Sequence, residues 1–256
     1  MQMVRSVKRY VKQKMKRLGY RLERIPAYEY SPSSKMRTRL MEALGIDLLF
    51  SVGANQGQFD MEVRRLGYKG RIISFEPVRE AFELLSRNAQ GDPGWTTVHC
   101  ALGNSEGHIR IHVANNSYSS SILDMLPSHL ESAPHSKYVA EEEVRVQTLD
   151  GIIDTYAGPS DSIMLKIDTQ GYERNVLAGA LRSLPRIRLL QMEMSLLPLY
   201  TGEMLMPDMC KWMDELGFAL YLLENEFVHP KTGRLLQVNG IFIRKDFQEV
   251  LAPPAP

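Results

Sequence analysis

Two stretches about twenty residues apart carry the first recognisable chemistry of this chain. In Asp47-Leu-Leu-Phe-Ser-Val-Gly-Ala-Asn-Gln-Gly-Gln-Phe59 an apolar strand runs into a turn punctuated by Gly53 and Gly57 and out into a helix, while Arg71-Ile-Ile-Ser-Phe-Glu-Pro77 is a second strand with Glu76 at its C-terminal tip. Glycines admit a ligand where a Cβ would collide, and an acid at the second tip can accept both hydroxyls of a ribose. The spacing Gly-x-x-x-Gly lacks the middle glycine of a pyrophosphate binder, and no Lys-Ser/Thr follows to hold a triphosphate. That points away from a dinucleotide and toward S-adenosylmethionine.

Ligands of open parallel sheets sit beyond the C-terminal ends of the strands, so strands of that kind must position these residues. Strand patterns fall near 47–52, 71–75, 96–101, 162–167, 187–193, 218–224 and 238–244. Helix patterns fall near 58–66, 78–89, 172–181 and 207–216, with an earlier helix capped by Ser33 or Ser34 and running to Leu44. The alternation predicts an α/β fold: a mostly parallel, seven-stranded sheet with helices on both faces. Between the last two strands, residues 224–234 read as a hairpin turn with Pro230 and Gly233, which makes the last strand antiparallel. On this frame the turn from Gly53 to Gly57, Glu76, Ala101 with Leu102, Asp168 and Glu193 all fall on one edge. One insertion breaks the alternation. Residues 108–113 and 143–148 alternate apolar and polar side chains, and they flank residues 114–142, rich in Ser, Asn, His and Pro. So long a polar connection is expected to act as a lid or binding loop.

Composition narrows the classes. With 256 residues and 44% apolar content, the chain can bury one full α/β core. Of 31 basic and 30 acidic residues, nine basic and one acidic fall in residues 1–25, leaving 22 basic against 29 acidic, a net of −7. A catalytic face for nucleic acid is not expected on so acidic a body. Cys100 and Cys210 offer neither zinc spacing nor a disulfide framework, and no run approaches the length of a bilayer span, so a cytoplasmic location is expected. Val4, Val7, Val11, Met15, Leu18 and Leu22 recur at helical spacing among Lys and Arg. This basic amphipathic helix is expected to dock on the domain or a second subunit, or to rest on the inner face of an anionic membrane. The domain plan is thus an N-terminal extension over 1–44, a catalytic domain over 45–247 with its insertion at 114–142, and a Pro-rich tail over 248–256.

Ser51-Val-Gly-Ala-Asn-Gln-Gly-Gln-Phe59, Ser74-Phe-Glu-Pro77, Ala101-Leu-Gly103, Ser119-Ser-Ser121, Thr148-Leu-Asp150, Leu165-Lys-Ile-Asp-Thr-Gln-Gly-Tyr-Glu173 and Gln191-Met-Glu-Met-Ser195 resemble, in order, the motifs of FkbM-type methyltransferases. The resemblance covers roughly residues 45–245 and is most specific from Leu165 to Glu173. It implies a class I (Rossmann-like) S-adenosylmethionine-dependent enzyme that methylates hydroxyl groups, on sugars or polyketides. For matching positions it implies that Gly53, Asn55 and Gly57 shape the turn under the methionine moiety and that Phe59 packs behind it. Glu76, followed by Pro77, would take the ribose, and Ala101 and Leu102 would border the adenine. Methyl transfer to an alcohol needs alignment and a base. Asp168 is the first candidate for that base, Glu193 its partner, and the two would supply hard oxygen ligands for magnesium.

The departures bear on the same site. Ser51 stands where the family usually has Asp, and the resemblance implies that it would accept a hydrogen bond from the cofactor ammonium without a charge of its own; Asn239 also stands where related sequences often have Asp. Acceptor contacts are expected from Ser119, Ser120, His129 and His229, and from Tyr200 as an aromatic platform. The Met residues at 192, 194, 204, 206, 209 and 213 read as packing. The leading function is O-methylation of a sugar, glycolipid or glycosylated metabolite. A polyketide or phenolic acceptor predicts an apolar pocket around 115–142 instead, and a non-catalytic cofactor-binding module predicts binding without product.

Overall fold

The computed structural model describes residues 31–251. The basic helix expected within residues 1–25, and with it any dimer or membrane contact, lies outside the described residues, as does the tail from residue 252. No helix among the described residues is long and apolar enough to cross a membrane.

Among the described residues, ten strands and seven α-helices follow in chain order: α1 (Pro32–Ala43), β1 (Leu48–Val52), α2 (Gln58–Arg65), β2 (Arg71–Phe75), α3 (Arg79–Ala89), β3 (Trp95–Val98), β4 (Ala101–Leu102), β5 (Gly107–Ala114), α4 (Pro127–Ser132), β6 (Tyr138–Gln147), α5 (Leu149–Tyr156), β7 (Ile163–Ile167), α6 (Glu173–Ala178), β8 (Ile187–Ser195), α7 (Met206–Glu215), β9 (Phe218–Val228) and β10 (Leu235–Arg244). The main sheet has seven strands in the order β3-β2-β1-β7-β8-β10-β9. The pairs β1–β2, β2–β3, β1–β7 and β7–β8 are parallel, and β10 runs antiparallel to both β8 and β9. The expected mixed sheet with an antiparallel last strand is therefore present.

The central strands are apolar on both faces because helices cover both. Phe50, Val52, Leu165, Ile167, Leu190 and Met192 pack on one side with α5, α6 and α7; Leu49, Ile72, Met164, Leu189 and Ile241 pack on the other with α1, α2 and α3. Met192, Met194, Met209 and Met213 are buried in the first layer, and Trp212 packs on it. The second layer is apolar only in its lower half. Nearer the C-terminal edge, Ser74, Ser51, Lys166 and Gln191 stand side by side in register across β2, β1, β7 and β8. All four are buried, so that face turns polar as it approaches the strand tips.

Four local expectations are corrected. The helix ending at Ala43 begins at Pro32, and its capping hydroxyl is that of Ser31, which accepts the Ser34 amide at 3.0 Å, in place of Ser33 or Ser34. The strand expected over 96–101 stops at Val98, because the Cys100 amide turns back onto the Val98 carbonyl; Ala101 and Leu102 pair instead with Val146 and Gln147 of β6. Helix α5 was not anticipated, although Thr148 caps it and Leu149, Ile152 and Ile153 bury one face. The helix expected over 172–181 is shortened to Glu173–Ala178. The insertion is built on the β5–β6 hairpin, closes through an isolated bridge between His112 and Ser121, and contains α4.

Candidate active site

The turn after β1 is fixed by its own backbone. Gly53 has φ +69°, and a Cβ there would overlap the carbonyl oxygen of Asp168, so only glycine lets the tips of β1 and β7 meet. Asn55 (φ +49°) and Gly57 (φ +83°) complete the turn. The amides of Gly53 and Ala54 both donate to the Phe75 carbonyl, that of Asn55 to Glu76 Oε2 at 2.7 Å, that of Gln56 to its neighbour's Oδ1, and that of Gly57 to Ala54. Five successive N–H groups are thus satisfied internally. A phosphate cradle needs free ones, so this turn suits a nucleoside carried without phosphates.

Glu76 closes the β2 tip. Its second oxygen accepts the Val78 amide at 2.8 Å, and burial, opposed by the amides of Val78 and Asn55, pushes its carboxyl up to about 7. If Glu76 accepts the two hydroxyls of a ribose, as the resemblance implies, its ionised form is favoured and cofactor affinity should rise with pH through that value. Between pH 6 and pH 8 the affinity for S-adenosylhomocysteine, measured by calorimetry, is expected to increase about tenfold, and Glu76→Gln should flatten the dependence. A wild-type affinity independent of pH would remove Glu76 from the ribose.

The tips of β7 and β8 hold the densest cluster. Asp168 is bound through both oxygens: Oδ2 accepts Lys166 Nζ at 3.0 Å, and Oδ1 accepts Gln170 Nε2 at 2.9 Å. The same Gln170 nitrogen donates to Glu193 Oε2 at 2.8 Å, so one amide bridges the two carboxylates. Gln170 is itself gripped, with Tyr200 Oη donating to its Oε1 at 2.7 Å and Ser121 Oγ to its carbonyl at 2.7 Å. Its φ of +54° is costly for a side chain of this kind; this grip offsets that cost. Glu173 braces the loop from below by accepting the Thr169 amide and hydroxyl and the Gly171 amide, and burial pushes it up to about 7. Glu193, 6% exposed, is raised well above the usual carboxylate range by burial first and then by the charges of Asp168, Glu173 and Glu226.

The other residues expected at the cofactor have contacts within the fold. Ser51 is fully buried on the α2 side of β1, beside the buried carboxylate of Asp60 and without a well-formed hydrogen bond of its own. Asp60 accepts Ser74 Oγ at 2.7 Å, and burial raises it. Phe59 has two cations over its ring, Arg37 at 4.6 Å from the ring centre and Lys166 at 5.5 Å. Pro77 offers its carbonyl to His99 Nε2 at 2.9 Å. Ala101 and Leu102 are buried in the second sheet.

The acceptor contacts are corrected more heavily. Ser119 Oγ is spent on Ser136 and Asn116, and Ser120 Oγ on the Ala114 amide, so both hydroxyls hold the insertion's own turn. His129, 2% exposed and neutral because burial lowers it to about 4, packs edge-on against Tyr200 at 5.1 Å. His229 Nδ1 accepts the amides of Lys231 and Thr232 and shapes the β9–β10 turn. Tyr200, 1% exposed, acts through Gln170 and offers no open platform. Magnesium fits poorly at Asp168 and Glu193, because the oxygens facing each other already share the Gln170 amide and Lys166 holds the outer one. Among the described residues, no group of three or more His, Cys, Asp or Glu side chains could hold a metal ion.

Sequence reasoning gave no role to Lys166, Gln170 or Ser121. Lys166 had a signal, as a cation inside the otherwise apolar run Ile163–Ile167. Insertion residues also reach the glycine turn, through Asn55 Nδ2 on Ser117 Oγ at 3.4 Å and Gln58 Nε2 on Tyr118 Oη at 3.3 Å. Residues 117–121 therefore touch both halves of the site.

This strand order, with a glycine turn and an acid at its first two tips, defines a class I methyltransferase fold. The Methyltransferase FkbM domain matches residues 51–220, and the chain belongs to that family. The hexuronic acid methyltransferase AglP of Haloferax volcanii is 25% identical over 160 residues, which cover 62% of this chain and 60% of the relative; the chain thus spans under two thirds of that protein. Among solved structures, magnesium protoporphyrin IX methyltransferase of Synechocystis PCC 6803 with bound SAM is 11% identical, with a TM-score of 0.46 over 83% of this chain and 78% of that one. The precorrin-6y C5,15-methyltransferase of Geobacter metallireducens GS-15 is 10% identical, with a TM-score of 0.41 over 86% and 93%.

Proposed function

We propose that the protein transfers a methyl group from S-adenosylmethionine to a hydroxyl of a sugar or glycosylated acceptor, with Glu193 as the general base. The cofactor, when bound, supplies a methyl carbon made electrophilic by the adjoining sulfonium. The protein must then align an oxygen with that carbon and accept its proton. The observation that carries the reading is the unequal treatment of the two acids. Asp168 has each oxygen engaged, one by the Lys166 ammonium and the other by the Gln170 amide, so neither is open to an acceptor hydroxyl. Glu193 has one oxygen engaged, and its raised affinity for protons brings it toward the operating pH of a base. Asp168, the first candidate from sequence, thus becomes the anchor for Gln170 and Lys166.

Two features support a hydroxylated acceptor over a phenol. The upper half of the sheet face beside Glu193 is polar, with Lys166, Gln191 and Asn239 alongside it, and Asn239 Nδ2 donates to Glu226 at 2.6 Å. The curated relative is named for a sugar acid. Incubation with methyl-labelled S-adenosylmethionine and a matched panel of glycosides and phenols, read by mass, tests the choice. Label on glycosides is expected, and label confined to phenols would reverse it.

A further inference from the structure

Beyond Tyr200 lies a cavity of about 580 Å³ that none of the roles above uses. Leu126, Pro198 and Met204 give it apolar walls, and Arg174, Glu203 and Asp208 are its charged residues. Glu203 is committed: Oε2 accepts the Ser195 hydroxyl, and Oε1 accepts the amides of Leu199 and Tyr200. Arg174 and Asp208 are exposed, and neither has a hydrogen bond or ion pair among the described residues. A free guanidinium and a free carboxylate on a wall of Leu, Pro and Met suit an amphipathic ring with polar edges. The cavity shares one residue with the proposed chemistry, since Tyr200 lines it and donates to the Gln170 that bridges Asp168 and Glu193.

We infer that this cavity is the acceptor subsite and that Arg174 recognises an anionic group, carboxylate or phosphate, on the sugar that is methylated. The inference rests on the proposed sugar acceptor. The planar fork of Arg174 can hold two oxygens of such a group at once, while Asp208 accepts a ring hydroxyl. An anion elsewhere in the site would face Asp168, Glu193 and Glu226, whereas Arg174 projects from the first turn of α6 and, of the two acids in its wall, Glu203 has both oxygens occupied by three donors.

Binding is measured by calorimetry on the full chain saturated with S-adenosylhomocysteine, using methyl glucuronide, glucose 1-phosphate and methyl glucoside as probes. Stronger binding of one or both acidic probes than of the glucoside is expected, and which of them binds names the anion. Arg174→Ala should weaken the acidic probe by roughly 10- to 150-fold, the loss of one charge-assisted contact, and Arg174→Lys should recover part of it. Affinity for S-adenosylhomocysteine should be unchanged in both variants, which reports an intact fold. Equal binding of all three probes, or acidic-probe affinity unaltered in Arg174→Ala, overturns the inference. A failure of the sugar reading looks different: no sugar of any charge then binds, while phenols accept the label.

Discussion

Glu193→Gln is expected to cut turnover by roughly 10²–10⁴, the usual contribution of a positioned general base, while leaving cofactor affinity within about threefold. Glutamine matches glutamate in shape and can still meet Gln170 through its own amide oxygen, so the bridge to Asp168 survives. What it cannot do is accept a proton. Single-turnover rates at saturating cofactor separate the chemical step from release, and calorimetry checks binding on the same preparation. Turnover within threefold of wild type would leave the reaction without the base assigned to it.

Ser51→Asp gives the second large effect, in a direction the sequence alone would not suggest. Read as a missing acid, Ser51 invites restoration of a charge that would hold the cofactor ammonium. In the fold its side chain is sealed behind β1 next to Asp60, whose carboxylate is already fully buried and raised by that burial. A second carboxylate there would be buried with no cation of its own; Lys166, in register with it on β7, is bound to Asp168. The expected result is a loss of several kcal/mol of stability, the effective cost of burying an unpaired ion, seen as a lower denaturation midpoint with no gain in cofactor affinity. Tighter cofactor binding at unchanged stability would show that Ser51 faces the cofactor.

The parts of the fold legible in sequence were those with one dominant pattern. Leu48–Val52 and Ile163–Ile167 are near-continuous apolar runs because both faces of those strands are covered, and Gly53 announced its turn because no other residue fits there. The missed helix α5 has only eight residues, a window in which apolar spacing competes poorly with the strand pattern just before it. Glu76 and Asp168 were legible from strand ends, since each follows the last residue of its strand, whereas the strand expected to end at Glu193 runs on to Ser195. The division of labour between Asp168 and Glu193 was not legible. That depends on Gln170, whose amide reaches two strands at once, and on contacts from Ser121 and Tyr200, which are 49 and 30 residues away along the chain. Such partners have no spacing to read. The acceptor histidines failed for a related reason: polarity marks His129 as a surface residue, yet Tyr200 and Phe227 enclose it.

The most direct test of the central claim, that Glu193 takes the acceptor's proton while Lys166 and Gln170 occupy Asp168, is the pH dependence of the single-turnover rate in wild type and Glu193→Gln. The wild-type rate should rise with pH through one ionisation lying above the ordinary carboxylate range, because burial and its acidic neighbours raise Glu193, and the residual rate of the variant should lack that limb. The same limb persisting in Glu193→Gln would assign the ionisation, and with it the base, to another group.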